Sequence, residues 1–354
     1  MNNLSIKISN ASPIILPISK KNISIPFQFS IKVTNNTSMP ICFCNLSTLV
    51  PELIDSEGQT VNYQTPRYLQ NYDKQNNNCD LILPQKSLSI SRYGRLYWEL
   101  GKLQMSISIF SDEGLKTTSN NAWIFEQLHS ETYQIRFKEN RPLEEAICKY
   151  PYLREQKREI SISEEHVTQF INLHLINVDR SEQNIIDFQG VQFETVISQT
   201  LHIPFPKNTT KHIPVDLGIR ISNHSSKAYR FIFYNLRPLL LDEHGNSLKR
   251  SGGQNRIVMP TKEDFLLVNN NECIYEGFNA SLYWIDNELK IGGQDKFAWC
   301  WSFGNLQPGT YQIGFVYTNN DGSSYPKKFQ EFKPFFADLW VGTIQTLFVS
   351  FSLV

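Results

Sequence analysis

Charge is what this sequence has least of. Asp, Glu, Lys and Arg make up 19% of its 354 residues, below the usual quarter of a globular chain. The 34 basic residues balance 34 acidic ones, so the net charge is zero and no global field draws the chain to nucleic acid or to an anionic bilayer. No apolar run approaches the roughly 18 residues of a membrane-crossing helix. The opening Met1-Asn-Asn-Leu-Ser-Ile-Lys has no basic region followed by an apolar core, so no secretion signal is expected. Cytoplasmic residence is the expectation.

Catalytic and metal-binding signatures are missing too. There is no Gly-Xaa-Ser-Xaa-Gly elbow, no phosphate loop and no His-Glu-Xaa-Xaa-His. The adjacent acids Glu144-Glu145, Glu164-Glu165 and Asp242-Glu243 need not face one another, as a glycosidase pair must. The seven histidines (His129, His166, His174, His202, His212, His224, His244) stand apart from any ligand spacing. Six cysteines are present. Cys42-Phe-Cys44 is the one close pair, and Cys79, Cys148, Cys273 and Cys300 show no zinc-type spacing to histidine. They read as small buried hydrophobes of a reducing compartment. The turn-like Asp55-Ser-Glu-Gly58 and Asn319-Asn-Asp321-Gly322 offer oxygens, but fewer than the five or six that calcium needs. No cofactor and no metal are expected.

What is there is written twice. Trp301-Ser-Phe-Gly-Asn-Leu306-Gln-Pro-Gly-Thr-Tyr311-Gln-Ile313-Gly-Phe315 repeats Trp123-Ile-Phe125-Glu-Gln-Leu128-His-Ser-Glu-Thr-Tyr133-Gln-Ile135-Arg-Phe137 without a gap. Further landmarks recur in the same order. Ile31-Lys-Val-Thr-Asn35 matches Ile219-Arg-Ile-Ser-Asn223, Leu53-Ile-Asp55 to Gly58 matches Leu240-Leu-Asp242 to Gly245, and Leu96-Tyr-Trp98 matches Leu282-Tyr-Trp284. Cys44-Asn-Leu46 aligns with Tyr234-Asn-Leu236, which sets Cys42 and Cys44 against Ile232 and Tyr234, and Cys300 against Ala122. Phe170 to Leu175 matches Phe348 to Leu353. Asn-Xaa-Ser/Thr triplets such as that of Asn223 are read as accidents of an Asn-rich and Ser-rich chain.

The paired strand–corner–tyrosine pattern resembles the tyrosine corner of immunoglobulin-like and fibronectin III-like domains. In those domains the phenol folds back onto upstream backbone. The resemblance implies a fold and no activity. The alternation points the same way. Phe27, Phe29, Ile31 and Val33, and again Tyr311, Ile313 and Phe315, repeat every second residue, with Asn, Asp, Gly and Pro between the runs. The expected class is all-β, as two tandem antiparallel β-sandwiches of immunoglobulin-like type with long loops: copy 1 over 1–176, a linker over 177–190 and copy 2 over 191–354. Long excursions are expected over about 59–79 and 246–263, over 100–121 and 286–297, and over 138–160 and 316–338. A short helix is expected at Arg141–Tyr150. Trp98, Trp123, Trp284 and Trp301 read as core.

Without catalytic groups, the expected function is non-catalytic binding or scaffolding, with loops presented to a macromolecular partner, in first place a protein. The residues to carry it are the loop aromatics and aliphatics Tyr150, Tyr152, Leu153, Phe332, Phe335 and Phe336, which stand beside basic residues and are of interface-anchoring type. The competing explanation is that they cover a sheet edge. The alternative function is carbohydrate binding or turnover, with Tyr68, Tyr72 and Tyr93 as a loop platform.

Overall fold

The computed structural model describes residues 4–8, 12–18, 24–44, 49–67, 79–109, 121–139, 167–178, 184–197, 202–203, 212–254, 258–319 and 337–354. Over these residues the protein is all-β, and the named helical elements are two single 3-10 turns, Phe233–Asn235 and Lys262–Asp264. The chain forms two units. Unit 1 takes Met1–Asn10 and Ile25–Leu175; unit 2 takes Ala11–Ser24 and Ile176–Val354.

Unit 1 contains β1 (Leu4–Ile8), β3 (Ser24–Asn35), β4 (Ile41–Cys44), β5 (Leu49–Ile54), β6 (Tyr63–Gln64), β7 (Cys79–Ile82), β8 (Ser87–Glu99), β9 (Lys102–Ser108), β10 (Ala122–Leu128), β11 (Thr132–Glu139) and β12 (Ile171–Asn177). One sheet has the order β1-β3-β8-β9-β10-β6. The antiparallel pairs β5–β11 and β11–β12 belong to the other face, and β4 with β7 forms a small ribbon. The alternating residues Phe29, Ile31 and Val33 are buried, and Phe29 meets Phe137 edge-on at 5.4 Å, which joins the two faces in one core.

Unit 2 contains β2 (Ile14–Ile18), β13 (Ile185–Phe188), β14 (Val191–Ile197), β15 (His202–Ile203), β16 (Ile213–Asn223), β17 (Tyr229–Phe231), β18 (Leu236–Leu241), β19 (Arg250–Gln254), β20 (Leu266–Val268), β21 (Glu272–Ile285), β22 (Glu288–Gln294), β23 (Trp299–Phe303), β24 (Gly309–Asn319), β25 (Gly342–Gln345) and β26 (Val349–Leu353). Its first sheet has the order β13-β14-β16-β21-β22-β23-β19. On the second face β24 pairs with β18, β25 and β26, and β17 with β20 forms the ribbon. From β14 onward the order of elements is that of unit 1, with β15 and β25 added. Phe278 stacks on Phe315 at 5.2 Å across the core.

The divisions expected from sequence differ from these in three ways. The segment 11–24 belongs to unit 2, because β2 is apolar throughout, is buried at all five positions and runs parallel to β25 with Ile14 facing Thr343 and Ile15 facing Ile344. The expected linker 177–190 contains β13, paired to β14. The expected loops over 100–121 and 286–297 contain β9 and β22, joined to β8 and β21 by two-residue turns in which Leu100, Gly101, Asp286 and Asn287 all have positive φ, the geometry a tight hairpin needs. β9 escapes an alternation test because six of its seven residues are buried, on both faces. The excursions over 59–79 and 246–263 likewise contain β6 and β19.

The repeated landmarks make the same contacts in each unit. Tyr133 and Tyr311 are buried. Their hydroxyls accept the amides of His129 and Gln307, each at 2.9 Å, four residues upstream. Burial raises the Tyr133 phenol well above its ordinary pKa. Asp55 and Asp242 accept amide hydrogens inside their own turns, and Gly58 and Gly245 take positive φ there. Asn35 and Asn223 are fully buried. The Asn35 amide donates to the carbonyls of Met39 and Ile82, and that of Asn223 to Lys227 and Val268. The Asn223 triplet is therefore a structural knot.

Candidate functional site

The groove in unit 2 starts from a turn. Asp295 Oδ1 accepts the amides of Phe297 and Trp299, each at 2.9 Å, and Ala298 closes the turn at a φ of 65°. This five-residue loop fixes the start of β23, whose next odd residues, Trp301 and Phe303, are core. Trp299 has their parity but lies at the strand's beginning, and it is 43% exposed. Alongside runs β19, last in the order of its sheet. Gly252 lies at a φ of +148°, and a β-carbon there would come within 2.1 Å of the Cys300 carbonyl oxygen, so only glycine lets the two strands approach.

Between β19, β23 and the chain from Tyr234 to Pro238 lies a groove of about 230 Å³. Trp299, Tyr234, Arg237, Arg250, Asp295 and Trp301 are among its lining residues. Tyr234 is braced edge-on against Phe297 at 5.2 Å, and Phe297 is buried in a small cluster with Ile232, Phe265 and Leu339. Lys296 lies 5.2 Å over the Phe297 ring and 3.5 Å from Asp264. Burial raises the Asp295 carboxyl above its ordinary pKa, and the Trp299 and Phe297 amides work against that shift. Trp301 is buried, and its indole Nε1 has no hydrogen-bond partner. A buried donor without an acceptor is rare in native structures. The nitrogen is enclosed in the core, where the Trp301 ring packs on Phe278 and Phe303.

This volume lies below the roughly 300–1,000 Å³ of cofactor and drug sites. It has room for one side chain or one sugar ring, with Trp299 and Arg237 in its lining.

Two positions at the groove differ between the units. By the register with β10 and β23, Arg250 occupies the place of Tyr63, since Arg250 faces Phe303 and Tyr63 faces Phe125. The Tyr63 ring rests on Phe125 at 5.5 Å. Trp299 stands where the first copy has Asn121. The signal in the sequence is the departure between copies at these two positions, which a comparison of shared landmarks passes over.

The six residues expected to dock a partner, Tyr150, Tyr152, Leu153, Phe332, Phe335 and Phe336, lie outside the described residues. So do the expected helix at 141–150 and Tyr68 and Tyr72. Tyr93 is not a loop residue: it lies in β8. The cysteine alignment shifts by two residues. Ile41 faces Ile82 as Tyr229 faces Val268, so Cys42 and Cys44 correspond to Arg230 and Ile232. Cys273 and Cys300 are free thiols, the first exposed. Trp123 and Trp301 are core. Among the described residues no three His, Cys, Asp or Glu side chains gather as metal ligands, and no helix is long and apolar enough to cross a membrane.

No protein-family model matches the chain, and no curated protein matches it either.

Proposed function

We propose that this chain is a non-catalytic binding protein of two immunoglobulin-like β-sandwiches, and that the groove of unit 2 seats an acidic segment of a protein partner. One observation carries the reading. An exposed Trp299 stands with Tyr234 and Arg237 around one side-chain-sized groove. Trp, Tyr and Arg are the residue types that dominate binding hot spots. Arg237, an exposed residue of the lining, favours a carboxylate, which a guanidinium grips in a bidentate pair. Asp295 holds the turn through backbone amides and positions the Trp299 ring. Among the described residues Cys273 and Cys300 are free thiols, which fit a reducing, cytoplasmic setting.

A second reading is a carbohydrate, for which the exposed Trp299 ring would be a stacking platform with Arg237 and Arg250 as hydrogen-bond donors. An array of immobilised peptides, graded in acidic and aromatic content, run beside a glycan array separates the two. The expected result is capture by peptides that combine Asp or Glu with an aromatic residue. Trp299→Ala and Arg237→Glu should each weaken that capture by tenfold or more without changing the thermal midpoint. Glycan capture that depends on Trp299 would replace the peptide reading. Binding that neither substitution changes would remove the groove from the account.

A further inference from the structure

We propose that the outer face of the seven-stranded sheet of unit 2 is a saccharide-binding platform, with Tyr275 as the ring on which a neutral oligosaccharide stacks. The feature begins with two glycines. Gly218 in β16 faces Gly277 in β21. These are the third and fourth strands of the sheet, where glycine normally weakens the ladder. The Tyr275 ring lies across both. A β-carbon on Gly218 would come within 2.8 Å of the ring and its hydroxyl, and one on Gly277 within 3.1 Å of the ring. The hydroxyl donates to Asp216 Oδ1 at 3.0 Å, which fixes the ring at its far end. Burial and the Asp216 carboxylate push the phenol up to about 12, so it stays protonated and goes on donating at neutral pH. One face of the ring thus rests on backbone, while the residue remains 45% exposed.

Unit 1 has the same strands without this arrangement. Leu96 matches Leu282 and Ile31 matches Ile219. Ser89, Ser91, Ser30 and Gln28 therefore stand where unit 2 has Tyr275, Gly277, Gly218 and Asp216. There the Gln28 amide donates to the Ser91 hydroxyl at 2.8 Å. The sheet position is satisfied by small polar side chains, so the fold itself does not require the ring. The tyrosine, the two glycines under it and the carboxylate that holds it differ together between the copies. Glycine within a strand marks a place where another group comes close to the backbone, and here that group is a ring with its second face toward solvent.

The surroundings select the ligand. Asp216, Asn279 and Gln294 face one another across β16, β21 and β22, and all three are exposed. This polar row lies beside the ring. Beyond it Tyr283, stacked on His212 at 5.1 Å, brings its hydroxyl over Gly292, where a β-carbon would meet it at 2.9 Å. Gly292 faces Ser281, four residues from Gly277, so the ring and this far wall stand about 14 Å apart along β21. A pyranose has the matching chemistry, with an apolar C–H face to lie on an aromatic ring and a rim of hydroxyls for carboxylate and amide groups. Charge on this face excludes a phosphate polymer. Arg220 and Lys290 are already paired with Glu194 and Glu288 at 3.0 and 3.5 Å, and Asp216 repels an anion. A protein interface needs a contiguous apolar centre, whereas Tyr275 is ringed by glycine and polar residues. None of these residues lines the Trp299 groove, and the platform does not rest on it.

The test is an array of neutral and anionic oligosaccharides probed with the full chain, followed by calorimetric titration of the neutral oligosaccharide most strongly captured. Tyr275→Ala should weaken its binding by about tenfold or more, the loss expected of a central aromatic anchor. Tyr275→Phe keeps the ring and should retain most of the affinity. Asn279→Leu should weaken binding from the polar rim, and Trp299→Ala should leave it unchanged. If Tyr275→Ala does not fold, nitration of the wild-type protein still decides. The bound oligosaccharide should slow nitration of Tyr275 severalfold, mapped by mass spectrometry, and leave the exposed Tyr63 of unit 1 unaffected. Failure to capture any neutral glycan would overturn the proposal. So would capture confined to anionic glycans and lost at raised salt, equal affinity in Tyr275→Ala, or a loss seen only in Trp299→Ala. Peptide capture that depends on Tyr275 would make the face a protein-docking surface and overturn it as well.

Discussion

The hydroxyl of Thr346 accepts the amide hydrogen of Phe315 at 2.8 Å, and the Thr346 amide donates to the Phe315 carbonyl at 2.9 Å. Thr168 and Phe137 make the same two bonds in unit 1, both at 2.9 Å. Both threonines are buried. In each unit a side-chain oxygen thus completes the ladder of the strand that follows the tyrosine corner. Without it, a core amide would face hydrocarbon. Thr346 also lies 2.6 Å from the Thr195 hydroxyl, which donates to the Leu347 carbonyl, so one threonine ties β14, β24 and the approach to β26.

Thr346→Val keeps the shape and removes the acceptor. The Phe315 amide is then buried without a partner, which costs about 1–3 kcal/mol. Chemical denaturation should show that loss, and Thr346→Ser should recover most of it. Equal stability of the Val and wild-type proteins would make the hydrogen bond energetically idle.

Tyr311→Phe removes the phenol that accepts the Gln307 amide and donates to its carbonyl. The ring, stacked on Phe351 at 5.7 Å, remains. The expected cost is on the order of 1–2 kcal/mol, read as a lower thermal midpoint. An unchanged melting curve would separate the phenol's bonds from the stability of the corner.

The internal repeat made the two corners and the Asp–Gly turns legible, and alternation the all-β class, because a half-buried strand writes its burial into every second residue. It failed where burial is two-sided or the ladder is short. β2 reads Ile-Ile-Leu-Pro-Ile and β9 reads Lys-Leu-Gln-Met-Ser-Ile-Ser, and neither alternates. β19 reads Arg-Ser-Gly-Gly-Gln, a loop by composition, held as a strand by its pairing with β23. The groove was hidden for a different reason. Trp299 belongs by parity to a core stripe, and only the fold shows that the stripe runs past its cover.

Ile15 is fully buried and faces Ile344 in the parallel pair of β2 and β25. Ile15→Ala should therefore destabilise unit 2, which contains the end of the chain, by about 2–4 kcal/mol. Amide hydrogen exchange across 342–345 would register the loss while that of β3 and β8 stayed protected. A fragment beginning at 176 lacks β2 and leaves the buried strand β25 without that partner. It should aggregate, and a peptide spanning 11–24 should restore its solubility. A soluble, monomeric fragment with wild-type exchange at 342–345 would contradict this role for β2.

Glu52 gives unit 1 a pH dependence whose sign follows from its neighbours. Burial opposes ionisation of its carboxyl, but hydrogen bonds and charge from Lys138 and Arg136 outweigh burial, and its pKa lies below the ordinary 4.5. Arg136 is itself held over the Phe170 ring at 4.3 Å, so the pair is preorganised. A carboxyl with a depressed folded pKa contributes stability that is fully present above its unfolded value and lost as pH falls through the folded one. Glu52→Gln should cost about 0.5–1 kcal/mol at pH 7. The gap between variant and wild type should stay constant down to about pH 5 and close below the ordinary carboxylate range. Thermal melts of both proteins at half-unit steps from pH 7 to pH 3 measure it. A gap that widened on acidification would mean that the protonated form of Glu52 is the one the fold prefers.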